Sequence, residues 1–153
     1  MPIHFPKNLQ ETTALGKSLA KKLKGGDVLC LEGELGAGKT TLAQAIGHAL
    51  GITRIVSPTY IIMREYPVAT HPTIKKLYHL DFYRLSDALE SKSFDLGEVI
   101  SDPAGLVIIE WPDRIHTQLP QNRTTIHLQI QGNDSRKITI THSVIPAKAG
   151  AAT

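Results

Sequence analysis

The stretch that decides the fold is Gly33-Glu-Leu-Gly-Ala-Gly-Lys-Thr40, which matches the pattern G-x-x-x-x-G-K-[ST] at every fixed position. A short apolar run, Val28 to Leu31, precedes this stretch and predicts a buried strand. An amphipathic run, about Lys39 to Leu50, follows it and predicts a helix, with Gly51 just past its end. The residues expected to be buried on this helix are Leu42, Ile46, Ala49 and Leu50. Strand, glycine-rich loop and helix in this order are typical of a phosphate-binding loop, or P-loop.

The residue types of this loop suit the binding of nucleotide phosphates. Its glycines are Gly33, Gly36 and Gly38. Because glycine has no Cβ atom, the backbone there can bend and bring its N–H groups against phosphate oxygens, and the helix N-terminus adds partial positive charge. We expect Lys39 to reach the β- and γ-phosphates, Thr40 to offer its hydroxyl to Mg²⁺, and Thr41 to contact the α-phosphate side. The chain has no N-K-x-D guanine-reading motif, which favours adenine as the base.

The composition predicts a single globular domain. The chain has 153 residues, of which 41% are hydrophobic and 20% charged, a balance typical of folded proteins. The formal net charge of +3 is too small to predict nucleic-acid binding on its own. Cys30 is the single cysteine, which excludes an intramolecular disulfide and a cysteine-cluster zinc site. We expect one P-loop domain over residues 1–145 and a disordered tail over residues 146–153.

The sequence also predicts a cytoplasmic protein without a membrane partner. No apolar run approaches the ~18–20 residues that a membrane-spanning helix needs. The N-terminus, Met1-Pro-Ile-His-Phe-Pro-Lys7, lacks the charged start and the long apolar stretch of a secretory signal.

The rest of the pattern predicts an α/β fold with a mixed sheet. A helix is expected over about Glu11 to Leu23, with Thr12 or Thr13 as its N-cap. The further strands are expected at Thr59–Glu65, Leu77–Tyr83 and Leu106–Ile109. A helix start is expected at Ser86 to Glu90, and Pro112 suits the first position of a short helix.

Alternating residues near the C-terminus predict an antiparallel β-hairpin. The apolar positions are Ile126, Leu128, Ile130, Ile138 and Ile140. They alternate with polar residues on either side of the turn signal Gly132-Asn-Asp-Ser135, so one face of the hairpin is expected to be buried. The predicted fold is therefore a three-layer P-loop domain of the kind found in nucleoside triphosphatases, with parallel and antiparallel strands and a C-terminal hairpin.

Two acidic residues are candidates for Mg²⁺ binding and hydrolysis, because each lies at or near the end of a predicted strand. Asp81 lies in an otherwise apolar and aromatic strand, and Glu110 directly follows the strand at Leu106–Ile109. A carboxylate there is costly to bury without a cation or hydrogen bonds. The alternatives are a salt bridge from Asp81 to Arg84 or a hydrogen bond to a neighbouring helix, and a helix-capping or surface role for Glu110.

Three further residues allow two interpretations each. Thr59, in Ser57-Pro-Thr-Tyr60, is placed to approach Mg²⁺ or the γ-phosphate, although the composition alone favours a plain turn. Trp111, the single tryptophan, is interpreted on its own as a packing residue. His79 is interpreted as a histidine of a strand rather than a metal ligand.

Four motifs together resemble the TsaE (YjeE) family. They are G-E-L-G-A-G-K-T-T over Gly33–Thr41, S-P-T-Y over Ser57–Tyr60, H-L-D-F-Y-R over His79–Arg84 and I-E-W-P over Ile109–Pro112. Many nucleoside triphosphatases share the P-loop, whereas the other three motifs in this order are specific to the family. The resemblance covers roughly residues 9–142.

The resemblance implies a small bacterial P-loop ATPase of tRNA threonylcarbamoyladenosine synthesis, with ATP or ADP and Mg²⁺ as ligands. It implies weak ATPase activity in isolation and a supporting role for the TsaD–TsaB pair. That pair transfers a threonylcarbamoyl group to the adenosine beside the anticodon, so tRNA is reached indirectly, through the complex.

The resemblance also assigns roles to individual residues. It gives phosphate binding to Lys39, Mg²⁺ to Thr40 and Asp81, and the attacking water or the surroundings of the metal to Glu110, so that Glu110 is counted with both the catalytic and the metal-site residues. It makes Thr59 a catalytic switch-loop residue. The nucleotide-binding residues it implies are Glu34, Leu35, Gly36, Ala37, Gly38, Lys39, Thr40, Thr41 and Trp111.

Two other functional classes fit a P-loop. A small phosphotransferase needs a lid whose arginines close over the phosphates, and this chain has six arginines with no arginine-rich segment. A regulatory nucleotide switch would hydrolyse its nucleotide only incidentally. Phosphate release with and without partner proteins separates these classes.

Overall fold

The computed structural model describes residues 2–58, 62–83 and 95–143. The strands are β1 (Ile3–His4), β2 (Val28–Glu32), β3 (Met63–Pro67), β4 (Lys76–Asp81), β5 (Gly105–Glu110), β6 (Arg123–Ile130) and β7 (Arg136–Ser143). The helices are α1 (Leu9–Ala20), α2 (Lys39–Ala49) and α3 (Leu96–Ile100), with a 3-10 helix at Pro112–Gln118.

The strands of the described residues form one mixed sheet in the order β1-β7-β6-β2-β5-β4-β3. The central strand β2 is parallel to β5 on one side and to β6 on the other, and β4 is parallel to β5. The outer pairs β1–β7, β6–β7 and β3–β4 are antiparallel. Because β2 lies between β5 and β6 in the sheet, the glycine-rich loop that follows β2 begins between these two strands.

Two hydrophobic clusters cover the two faces of the sheet. Leu29 and Leu31 of β2 pack into a cluster with residues of α1 and α2. Their neighbours Val28 and Cys30 belong to a second cluster, which includes residues of α3 and the 3-10 helix. Successive side chains of a strand point to opposite faces, so helices cover the sheet on both sides. The predicted three-layer α/β fold with a mixed sheet and a C-terminal hairpin is confirmed.

Several local predictions differ from the structure. The first helix begins at Leu9, and its N-cap is Asn8, whose side chain accepts a hydrogen bond from the Glu11 N–H at 2.9 Å. The prediction of Thr12 or Thr13 as the cap is wrong, because the asparagine one turn earlier already satisfies the first N–H groups. Ala49 lies on the exposed side of α2, and Ile130 of the hairpin is 39% exposed.

The strands before the site also have shifted bounds. The strand predicted from Thr59 to Glu65 is observed as β3 from Met63, and residues 59–61 lie outside the described residues. Glu110 is the last residue of β5 rather than the residue after it. Pro112 does begin a short helix, as predicted. The predicted helix start at Ser86 to Glu90 and the predicted tail at 146–153 lie outside the described residues.

Within the described ranges, none of the helices has both the length and the apolar character required to cross a bilayer.

Candidate functional site

The P-loop connects β2 to α2 through three glycines whose backbone favours glycine. Their φ angles are +151° at Gly33, +83° at Gly36 and +103° at Gly38. A Cβ atom at Gly33 would lie 2.5 Å from the carbonyl oxygen of Leu128 on β6, so a larger residue there would collide with backbone. Gly38 occupies the N-cap position of α2 in the left-handed region. The glycines predicted from the sequence therefore set both the bend of the loop and its close approach to β6.

Lys39 begins α2 and holds a buried ammonium group beside the loop. Its Nζ donates hydrogen bonds to the carbonyl oxygens of Gly33 at 2.6 Å and Glu34 at 2.9 Å, and the residue is 5% exposed. Burial lowers the pKa of Lys39, and the negative charges of Glu110 and Asp81 partly counter that effect. No carboxylate of the described residues forms an ion pair with this ammonium within 4.0 Å. A buried cation bonded to carbonyls suits the approach of an anion.

The two predicted carboxylates meet at the ends of neighbouring parallel strands. Asp81 ends β4 and Glu110 ends β5, and the two residues are partners in the register of that strand pair. Both residues are buried, at 7% and 2% exposure. The Thr40 hydroxyl donates to the Glu110 carboxylate, with its Oγ1 3.0 and 3.1 Å from the two oxygens. The ends of β4 and β5 and the first turn of α2 thus bring Asp81, Glu110 and Thr40 to the lining of one cleft.

Among the described residues, Asp81 has fewer hydrogen-bond partners than Glu110. Its Oδ1 accepts a hydrogen bond from the Tyr83 backbone N–H at 2.9 Å. Burial raises the pKa of Asp81 above its usual range, the neighbouring Glu110 charge adds to the rise, and the Tyr83 hydrogen bond opposes it. The salt bridge to Arg84 that the sequence left open falls on a residue outside the described ones. A carboxylate whose ionised form is destabilised by burial gains from a bound cation.

His79 contacts this site, although it is not among the predicted site residues. It lies fully buried in β4, and its Nε2 is 2.7 Å from Oε2 of Glu110. Within the described part of the chain, its Nδ1 has no hydrogen-bond partner. The interpretation as a strand histidine is confirmed, but it missed this contact. The period-two spacing of His79 and Asp81 was the available signal, because it places both side chains on one face of β4.

Trp111 follows Glu110 in an unusual backbone conformation. Its φ and ψ angles of +58° and +52° lie in the left-handed region, which a bulky residue rarely adopts. The indole lies against Lys39, whose Nζ is 4.2 Å from the ring centroid, and the Tyr83 ring is 4.8 Å away, centroid to centroid. The turn therefore directs the indole onto the P-loop lysine, where a cation–π contact forms.

These residues line a single cleft of about 500 Å³. The predicted site residues that line it are Leu35, Gly36, Gly38, Lys39, Thr40, Thr41, Asp81, Glu110 and Trp111. Ser57 and Tyr83 also line it and were not predicted as site residues. Of the other predicted residues, Glu34 contributes its carbonyl to Lys39, Ala37 packs in the core, and Thr59 lies outside the described residues.

The residues of this cleft fit a nucleoside phosphate and a magnesium ion. The buried Lys39 ammonium supplies a positive charge, and the Cβ position of Gly36 has no atom within 4 Å, which leaves space beside the loop. Thr40, Asp81 and Glu110 supply hydroxyl and carboxylate oxygens, the donors that Mg²⁺ prefers. The described residues hold no group of three or more His, Cys, Asp or Glu side chains suited to a metal. Magnesium commonly takes one or two carboxylates and completes its shell with phosphate oxygens and water.

Comparison with known proteins gives consistent matches over most of the chain. The family model described as "Threonylcarbamoyl adenosine biosynthesis protein TsaE" matches residues 6–138. A Bacillus subtilis protein named tRNA threonylcarbamoyladenosine biosynthesis protein TsaE is 46% identical over 135 residues, which are 88% of this chain and 81% of that protein. Proteins of the same name are 43% identical in Synechocystis, over 76% of this chain and 73% of that protein, and 37% identical in Streptomyces coelicolor, over 83% and 87%.

The fold is also similar to a solved structure. The crystal structure of Bacillus subtilis YdiB superposes with a TM-score of 0.78 and 38% sequence identity, covering 94% of this chain and 86% of that one. The similarity therefore extends over the P-loop, the carboxylate strands and the hairpin together.

Proposed function

The chain belongs to the TsaE family of tRNA threonylcarbamoyladenosine biosynthesis proteins, and on that premise we propose that it binds and hydrolyses ATP with the help of Mg²⁺. The observation that carries the proposal is the meeting of Lys39, Thr40, Asp81 and Glu110 in one cleft. A P-loop alone indicates nucleotide binding. The two carboxylates beside the P-loop threonine add the groups that hydrolysis requires.

The P-loop is proposed to bind the phosphates of the nucleotide. Lys39 would exchange its hydrogen bonds to the Gly33 and Glu34 carbonyls for phosphate oxygens, which carry full negative charge. The backbone N–H groups at the start of α2 would add donors and the partial positive charge of the helix end. The Trp111 ring lies on Lys39 and would move or re-pack when that ammonium changes partners.

The threonine and the carboxylates are proposed to serve the magnesium ion and the attacking water. Because Thr40 donates its proton to Glu110, the lone pairs of its hydroxyl oxygen remain available to a cation. Asp81, bonded at one oxygen by the Tyr83 N–H, would supply a second oxygen. Bound Mg²⁺ would neutralise charge on the phosphate oxygens. Glu110, fixed by Thr40 and His79, would orient the water that attacks the γ-phosphate.

The family assignment supports a role within a multi-protein complex. We propose that the chain acts with TsaD and TsaB, leaves threonylcarbamoyl transfer to them, and meets tRNA through the complex. We include a cytoplasmic location in the same proposal, since the chain would act there on tRNA through the complex.

The test measures ATP turnover and ADP affinity of the purified protein, alone and with TsaD and TsaB. The chain alone should release phosphate slowly, and the partners should accelerate it. Lys39→Ala should weaken ADP binding by roughly tenfold to a hundredfold, because hydrogen bonds to charged groups contribute about 1.5–3 kcal/mol. Lys17→Ala, on α1, is the matched control and should bind ADP normally.

A second variant separates hydrolysis from binding. Glu110→Gln should lower turnover more than ADP affinity if Glu110 orients the water. Glu65→Gln, on the edge strand β3, is the matched control. An equal loss of both properties in Glu110→Gln would instead make Glu110 a metal-holding or structural residue. Transfer of phosphate to a small acceptor, or turnover that ignores the partners, would contradict the proposed function.

A further inference from the structure

Arg136 is a buried arginine that lies beside the P-loop and that none of the site predictions includes. It is the first residue of β7 and is 8% exposed. No carboxylate of the described residues forms an ion pair with it within 4.0 Å. A guanidinium in this position is stable only when backbone or side-chain oxygens accept its hydrogen bonds.

The guanidinium of Arg136 bridges two separate loops through backbone carbonyls. On one edge, Nε donates to the Ala37 carbonyl at 2.9 Å and Nη2 to the Gly36 carbonyl at 3.1 Å. On the other side, Nη1 donates to the carbonyls of Asn133 at 3.0 Å and Ser135 at 2.9 Å. The planar fork of arginine suits this arrangement, since its donors have fixed directions. The turn of the β6–β7 hairpin is thereby tied to the P-loop.

The two P-loop carbonyls determine where the neighbouring N–H groups point. In a planar trans peptide, the C=O of one residue and the N–H of the next face opposite ways. Holding the Gly36 carbonyl turns the Ala37 N–H away from Arg136, and that N–H donates within the loop to the Glu34 carbonyl at 3.1 Å. Holding the Ala37 carbonyl likewise turns the Gly38 N–H away from Arg136.

We propose that Arg136 is a positioning residue that fixes the P-loop in its anion-binding form before a nucleotide arrives. The loop needs such a restraint because glycines with little around them, such as Gly36, have many accessible backbone conformations. A loop that is already ordered loses less conformational entropy on binding, so the nucleotide binds more tightly. The buried positive charge behind the loop also favours phosphate. This inference rests on the proposed function only where it concerns the nucleotide.

The first experiment needs no nucleotide. Amide hydrogen exchange is measured in the wild-type protein and in Arg136→Met, which keeps an apolar stem and loses all donors. Arg123→Met, at the far end of the same hairpin, is the matched control, since Arg123 donates to the Pro120 carbonyl at 2.8 Å and not to the P-loop. Arg136→Met should raise exchange at least tenfold in residues 33–40 and leave β2 and β5 as in the wild type. Arg123→Met should leave residues 33–40 unchanged.

The second experiment measures ADP affinity by calorimetry. Arg136→Met should weaken ADP binding about tenfold, and Arg136→Lys should fall between it and the wild type, since one ammonium replaces part of the fork. If Arg136→Met does not fold, Arg136→Lys decides the question by both measurements.

Three results would overturn the inference. The first is a folded Arg136→Met protein with wild-type exchange in residues 33–40. The second is exchange raised equally in all strands, and the third is loss of the fold in both variants, because either would show a general structural role. A wild-type protein that does not bind ADP would refute the proposed function instead, and the exchange experiment would still test the loop.

Discussion

Replacing His79 with leucine should destabilise the protein through the carboxylate that His79 holds. Nε2 of His79 lies 2.7 Å from Oε2 of Glu110, and both side chains are almost fully buried. In His79→Leu, the Glu110 carboxylate stays buried, and the Thr40 hydroxyl is the one side-chain donor that it keeps among residues 2–58, 62–83 and 95–143. A hydrogen bond to a charged group contributes about 1.5–3 kcal/mol. At about 2–4 °C per kcal/mol for a domain of this size, the melting temperature should fall by roughly 3–12 °C.

Urea unfolding of a double-mutant cycle is the measurement that isolates the pair. His79→Leu, Glu110→Gln and the double variant are compared with the wild type at pH 7. If the carboxylate causes the loss, His79→Leu should cost much less in the Glu110→Gln background, with a coupling free energy of about 1–3 kcal/mol. His79→Gln offers a donor at a comparable distance from the backbone and should recover part of the stability. A coupling near zero would refute the reasoning and reduce His79 to a packing residue.

Substitution or labelling of three other residues should change stability or reactivity in a direction that follows from their burial and hydrogen bonds. Asp81→Asn should raise the melting temperature of the nucleotide-free protein at pH 7 while lowering ATP turnover. Burial raises the pKa of Asp81, so its ionised form destabilises the fold, and the gain in melting temperature should grow as pH rises above 4. A lower melting temperature in Asp81→Asn would contradict this. Tyr78→Phe removes a 2.7 Å hydrogen bond between the Tyr78 hydroxyl and Asp102. In the wild type this bond lowers the pKa of Asp102, and burial together with the same bond raises the pKa of Tyr78 to about 12. The wild-type advantage in urea unfolding, under about 1 kcal/mol since solvent screens Asp102, should therefore shrink below pH ~4 and above pH ~10. Burial raises the pKa of the Cys30 thiol to about 12, so a thiol reagent at pH 8 should label it only as fast as the protein unfolds; rapid labelling of the folded protein would contradict its burial.

The predicted residues that the structure brings together in one cleft are those that follow from short-range sequence pattern. The glycines, Lys39 and Thr40 are fixed by one contiguous motif, and that motif also requires a strand before it and a helix after it. Asp81 and Glu110 could be found because each ends an apolar strand, and the ends of neighbouring parallel strands meet at one edge of the sheet.

The parts that sequence reasoning missed depend on contacts between distant segments. The Arg136 hydrogen bonds go to carbonyl groups, which every residue carries, so no side-chain pattern reveals them. The bond between His79 and Glu110 depends on the register of β4 against β5, and the sequence gives no means to fix that register. The N-cap was misplaced because Asn8 and the two threonines are all good capping residues, and the sequence alone does not show that the helix begins before the threonines.

The cleft concentrates features that lower the stability of the nucleotide-free protein. The ionised form of Asp81 is disfavoured by burial, and Trp111 holds a left-handed backbone conformation. Lys39 is a buried ammonium to which no carboxylate in the described part of the chain is bonded. Each of the two charges would be compensated by a group that the proposed function brings, a cation at the carboxylates and phosphate at the ammonium. Hydrogen bonds from Thr40 and His79 to Glu110, and from Arg136 to the P-loop, restrain these groups in the absence of a ligand. If the proposed function holds, the hydrogen-bonded loop and strand ends stay in place, and the energy of nucleotide and Mg²⁺ binding would come from compensating these charges rather than from ordering a flexible loop.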